Sequence, residues 1–137
     1  MYRKILVPMA LSHDLSPETL KAATALLAEG GEIVAIHVFE EAHGTAVPYA
    51  EDETVKSGFE AARDLLKTKL EAAPRVTGHV VTGHSARTII DFAAKNGVDC
   101  IVIGSHKPGL TDYFLGSTTE RVVRHAHCAV HVVRSGV

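Results

Sequence analysis

Apolar residues in this chain follow two rhythms. Short unbroken runs, such as Ile5, Leu6 and Val7, alternate with longer stretches in which apolar residues recur every three or four positions. The first rhythm predicts strands covered on both faces, and the second predicts amphipathic helices. "YRKILVPM" reads as the first strand and "LSPETLKAATALLAEGG" as the first helix. In that helix Ser16 suits the N-cap, Pro17 the first helical position and Gly30-Gly31 the stop, with Leu20, Ala23, Thr24 and Leu27 forming the buried stripe. "EIVAIHVFE" is the second strand. A second helix runs from Asp52 to Ala73 with Val55, Phe59, Ala62, Leu66 and Ala73 on one side, and Pro74 ends it. "RVTGHVVTG" is the third strand; Ser85 then caps a helix carrying Ile89, Ile90 and Ala93, which stops at Asn96-Gly97. "DCIVIG" is the fourth strand and "AVHVVR" the last, with a helix of about ten residues between them.

Strict alternation of strand and helix predicts an α/β fold: one open, doubly wound parallel sheet of five strands with helices on both faces. Such sheets bind ligands outside the carboxyl ends of their strands, where the strand order reverses. The tips that matter therefore follow Val7, Val38, Val81 and Ile103. The long, weakly patterned stretch from Glu40 to Asp52 is suited to covering such a cleft. An unpaired last strand would expose an edge, and pairing with a second copy through Val130, Val132 and Val133 would satisfy it.

Composition narrows the class. At 137 residues, with 46% apolar and 22% charged positions, the chain is the size of one soluble domain covering 1–137. A net charge of -2 argues against a nucleic-acid partner. There is no run of eighteen or more apolar residues for a membrane span, and "MYRKILVPMA" reads as a strand rather than a signal peptide. Cys100 and Cys128 form neither a disulfide framework nor a metal spacing and suit a reducing, cytoplasmic setting.

The stretch "IVIGSHKPGLTDYFLGSTTERVV" hangs from the fourth tip. Gly104 ends a strand there. Gly116 precedes Ser117, Thr118, Thr119 and Glu120, with the Ser117–Glu120 spacing of a capping box. A helix start has unpaired amides and a positive dipole end that attract phosphate, the three hydroxyls add donors, and Lys107 adds a point charge. Spacing alone leaves two readings open, a phosphate cradle or an ordinary loop before a capped helix. Familiar nucleotide motifs are missing: "VPMALSHD" has no GxGxxG, and Leu110-Thr111 follows where a P-loop needs Lys-Ser/Thr. His125 and His127 lack a third ligand at suitable spacing, and His37 and His131 read as satisfied strand residues. His106 lies inside the loop and is a candidate contact. Asp99, Asp112 and Glu120 fall near the cleft in sequence but compose no catalytic constellation.

Over nearly its whole length the chain resembles the universal stress protein family. The resemblance is carried by "KILVPMALS", "IHVFE", "VVTGHSARTIIDFA" and above all "DCIVIGSHKPGLTDYFLGSTTERVVRHAHCAVHVVR". It implies the adenine nucleotide alpha hydrolase-like fold with strand order 3-2-1-4-5 and a homodimer joined through the last strands. For a ligand it implies ATP or another adenine nucleotide, with or without Mg2+. Carried over by position, it implies nucleotide contacts at Pro8, Met9, Ala10 and Val38 beside the base, and at Ile103, Gly104, Ser105, His106, Lys107, Gly109, Gly116, Ser117, Thr118 and Thr119 around phosphate and ribose. Two departures stand out. Lys107-Pro108 replaces the motif's second glycine in a loop one residue short, with Gly109 restoring a tight turn. Ala10 stands where relatives place an aspartate that holds the nucleoside. The expected function is an adenine-nucleotide-binding stress switch with little or no turnover; the alternative is a dimeric interaction module whose cleft holds no nucleotide.

Overall fold

The expected alternation is realised as β1(Tyr2–Pro8), α1(Pro17–Leu26), β2(Leu27–Phe39), α2(Pro48–Lys69), β3(Val76–Thr82), α3(Ser85–Lys95), β4(Cys100–Gly104), α4(Ser117–His125) and β5(Ala129–Val133). This computed structural model describes residues 1–12, 14–40, 48–105 and 115–134, with 48–54 by their backbone alone. His106, Lys107, Pro108, Gly109 and Asp112, and most of the stretch from Glu40 to Asp52, lie outside the described residues.

All strands are parallel, in the order β3-β2-β1-β4-β5. The unbroken apolar runs explain why the central strands are covered on both sides. Successive residues of a strand face opposite ways. Accordingly Ile5, Val7, Ala35 and Val102 join Ala23 of α1 and Leu66 and Leu70 around α2 on one face, while Leu6, Val34, Ile36, Ile101 and Ile103 join Ile89 of α3 and Val122 of α4 on the other. On the first face Gly78 lets α2 lie close, since a Cβ there would come within 2.6 Å of Leu70 Cδ1.

Several boundaries differ from expectation. Helix α1 stops at Leu26 rather than at Gly30-Gly31, because Leu27 turns extended and pairs with Tyr2. The two glycines instead serve an irregularity within β2, with Gly30 at φ 78° and a register shift between Tyr2 and Lys4. Helix α2 starts at Pro48 and ends at Lys69, each four residues earlier than the expected Asp52 and Ala73, so Pro74 is not what stops it. Ser85 is the first residue of α3 and not its cap; its amide and hydroxyl both donate to Glu40 Oε1, at 3.1 and 2.8 Å. The stop at Asn96-Gly97 is as expected, with Gly97 at φ 67°.

Asp99 proves to be structural. It precedes β4 at the amino end of the sheet, away from the carboxyl-end cleft, and clamps β1. The Arg3 and Lys4 amides donate to its two carboxylate oxygens at 2.9 and 3.0 Å, and its own amide donates to the Lys4 carbonyl. Partial burial pushes its carboxyl pKa up, but the donated hydrogen bonds outweigh this and hold it below its ordinary 3.8. A depressed folded pKa means that the stabilisation is present above the unfolded value and is lost as pH falls through the folded one. Asp99→Asn is therefore expected to lower the unfolding free energy measured in urea by a similar amount from pH 7 to pH 5, about 1 kcal/mol for a half-exposed charged acceptor. That difference should shrink below about pH 4, as the wild-type carboxylate protonates.

Candidate functional site

Because the chain winds outward in both directions from β1 and β4, their carboxyl tips diverge and leave a cleft of about 790 Å³. Its walls place together most of the residues singled out in the sequence: Pro8, Met9, Ala10, Val38, Ile103, Gly104, Ser105, Thr118 and Thr119. Gly116, the N-cap of α4, and Ser117, its first residue, are not among the lining residues.

The β1 tip is held from the β2 side. Met9 donates its amide to the Ile36 carbonyl at 2.9 Å, and its own carbonyl lies 3.0 Å from His37 Nδ1. A carbonyl only accepts, so Nδ1 carries the proton, and His37 fixes the strand tip while lining the cleft. The expectation that His37 is a satisfied strand residue holds, yet it also belongs to the site.

The β4 tip is fixed just as firmly. The Ser105 amide donates to the Val133 carbonyl and the Gly116 amide to the Ser105 carbonyl, both at 2.9 Å. The Thr119 hydroxyl donates to the Gly104 carbonyl at 2.7 Å. Three donors offered to a ligand by the sequence reading are thus committed internally: the Ser105 and Gly116 amides and the Thr119 hydroxyl. The amides of Ser117 to Thr119 remain, because the first turn of a helix has no intrahelical acceptor for them. The expected capping box does not form. Gly116 has no side chain to cap with, and Glu120 accepts instead from Arg124 one turn on, at 2.9 Å.

Gly104 itself is informative. Its φ is not positive, and a Cβ built on it would meet nothing within 4 Å among the described residues. Neither backbone conformation nor packing among the described residues calls for glycine there.

Sequence reasoning missed the α1 side of the cleft. Asp14, Leu15, Ser16, Glu18 and Thr19 line it, with Ser85 and Ile89 of α3 and Val133 of β5. Asp14 accepts from Lys69 Nζ at 2.9 Å, and this hydrogen bond and charge hold its carboxyl below the usual range. Glu18 is held low by its own amide and by the Ser16 hydroxyl, which donates to it at 2.9 Å. Spacing could have found Glu18, since the first turn of a helix whose start faces a strand tip faces the cleft too. The thiols play no part: burial, then the nearby Cys128 and Asp99, push Cys100 up to about 11, leaving it protonated at neutral pH. No cluster of three or more metal-ligating side chains occurs among the described residues.

A five-stranded parallel sheet of order 3-2-1-4-5 with a cleft at the carboxyl tips of β1 and β4 defines an α/β protein of the doubly wound class. The universal stress protein family profile matches residues 1–134, and the chain belongs to that family. It is 35% identical to universal stress protein MJ0531 of Methanocaldococcus jannaschii, over 98% of this chain and 83% of that protein. The fold is similar to that of the solved hypothetical protein MJ0577, with a TM-score of 0.79 and 30% identity over 100% of this chain and 99% of that one. More distant structures share the fold, among them a universal stress protein in complex with cAMP (TM-score 0.61, 18% identity, 98% of both chains). Another is the Archaeoglobus fulgidus protein in complex with dAMP (TM-score 0.54, 19% identity, 96% of this chain and 97% of that one).

Proposed function

We propose that the cleft binds an adenine nucleotide and that the protein acts as a stress-response switch, with little or no turnover. The observation that carries this reading is Gly104: a strand-end residue whose missing side chain faces open space among the described residues, beside the first turn of α4. Glycine there is accounted for by something that must approach the backbone closely. A phosphate fits, since the α4 start offers amides and the positive end of the helix dipole. The apolar wall of Pro8, Met9, Val38 and Ile103 suits a base, and the cleft volume lies within the range of small-ligand sites. Family relatives solved with cAMP and dAMP support the adenine assignment. ATP, with or without Mg2+, belongs to the same proposal, as does a homodimer sealed along β5 through Val130, Val132 and Val133.

The rival reading, an interaction module with no nucleotide, is favoured by one observation. Ala10 lines the cleft at the position where the family resemblance implies an aspartate, so its side chain can accept no hydrogen bond from a sugar there. The two readings separate in one experiment. Protein purified without added ligand is denatured and its supernatant assayed for adenine nucleotide, and AMP and ATP are then titrated calorimetrically. Released nucleotide or saturable binding is expected; silence in both assays selects the rival. Ala10→Asp is expected to tighten adenosine, which has no phosphate to complicate the comparison, by about tenfold or more, the value of one added hydrogen bond to a charged group.

A further inference from the structure

Strand β3 ends the sheet on the side opposite β5 and shares no lining residue with the cleft. It pairs only with β2, residue for residue from Val76 beside Ile33 to Thr82 beside Phe39. Edge strands ordinarily carry a device against the addition of another strand: a charge, a proline, a bulge or short length. β3 has seven residues, "VTGHVVT", with no proline and no Asp, Glu, Lys or Arg, and its pairing has no register shift. Thr77, Gly78 and His79 are exposed. The strand itself leaves this edge unguarded.

Helix α2 borders the edge with charge. Glu60, Arg63, Asp64 and Lys67, with Glu71 just past the helix end, line a groove of about 880 Å³ shared with Gly78, His79 and Val80 of β3. Lys56 stands four residues before Glu60 and continues the stripe, because residues three and four apart share a helix face. None of these six side chains makes an ion pair among the described residues, although Lys4, Lys69, Arg87 and Arg124 do elsewhere. Part of the pattern works against the lone helix: Glu60 and Asp64 are like charges four apart, and so are Arg63 and Lys67.

The same pattern suits a second copy of the chain. Two identical surfaces related by a twofold axis each meet themselves in reverse. With the axis between Arg63 and Asp64, Arg63 faces the partner's Asp64, Glu60 faces the partner's Lys67, and Lys56 faces the partner's Glu71. Every charge on the stripe then meets its opposite, and the symmetry makes each pair twice. An axis on either central residue instead sets arginine against arginine or aspartate against aspartate, and the other charges face uncharged residues. We propose that two copies associate side by side across this edge, α2 against α2 in the first register, with the two β3 edges brought alongside. Exposed pairs of this kind contribute little one by one, so the pattern fixes register and rejects mismatched surfaces more than it supplies affinity. Neither a bound nucleotide nor pairing along β5 is needed for it.

Sedimentation velocity of the full chain at low salt reads the assembly mass. Wild type is expected to associate, and to do so less as salt rises. Arg63→Glu with Lys67→Glu sets acid against acid across the axis, and Glu60→Lys with Asp64→Lys sets base against base. Each double variant alone should associate at least about tenfold more weakly than wild type. Mixed in equal amounts, the two restore every opposite pair and should regain the wild-type mass. Circular dichroism and a thermal melt establish that each variant is folded before mixing. A wild type that stays monomeric overturns the inference and leaves the stripe to a partner of another sequence. An assembly whose mass neither variant changes overturns it too, since β5 or another surface then holds the copies together. So does a loss in both variants with no recovery on mixing, because the charges would then not face one another in this register.

Discussion

Replacing Gly104 by valine is expected to abolish nucleotide binding while leaving the fold intact. The two halves of that result come from the same geometry. A side chain at Gly104 meets nothing within 4 Å among the described residues, and the backbone is not in the left-handed region, so a β-branched residue at a strand end is conformationally acceptable. Gly104 lines the cleft, where the added atoms take up space, and the first turn of α4 is held close to its backbone by the Thr119 hydroxyl. A ligand that uses those amides must touch the Gly104 backbone, and valine keeps it away. The expected loss is at least about a hundredfold in affinity, roughly 2.7 kcal/mol, with a melting temperature within about two degrees of wild type, as befits a substitution outside the core. Titration calorimetry beside a thermal melt checks both halves. Unchanged affinity in the valine variant would mean that the ligand lies elsewhere.

The largest loss of stability is expected from Ile101→Ala. Ile101 lies in β4, paired with Leu6 of β1 on one side and Val130 of β5 on the other, and has no exposed surface. Its side chain joins the core formed with Leu6, Val34, Ile36, Ile89 and Val122. Truncation removes buried methylenes and leaves a cavity that strands pinned on both sides cannot collapse to fill. The cost should be about 2–5 kcal/mol, a large part of a total on the order of 5–15 kcal/mol. Urea denaturation should show the midpoint falling with the slope unchanged. Val123→Ala, at a half-exposed position of α4, is the natural control, and its effect should stay within about 0.5 kcal/mol.

The architecture was legible because burial on both faces writes an unbroken apolar run, and β1, β2 and β4 each carry one. The order of the strands was not written in any period; it entered through the family resemblance, and the sheet bears it out. Local chemistry misled wherever a distant partner won. Ser85 looks like a cap, but Glu40, forty-five positions earlier, reaches its amide first. Ser117 and Glu120 have the spacing of a capping box, yet Arg124 offers Glu120 a charged partner one turn on. Asp99 adjoins the glycine strand in sequence but sits at the opposite end from the cleft, and its role depends on amides ninety-five and ninety-six positions away. His37 was read correctly as hydrogen-bonded, though nothing in a one-dimensional pattern could say that its partner is the strand tip that lines the cleft.

The bond from the Gly116 amide to the Ser105 carbonyl ties together the two ends of the segment that carries the shortened glycine motif. Whatever length lies between them, the strand tip and the α4 start are stapled across the gap, so a gain or loss of residues there leaves both flanks in register. Evolution is thereby free to trim or extend this one connection and vary what borders the cleft, without reopening the question of whether the rest of the chain will fold.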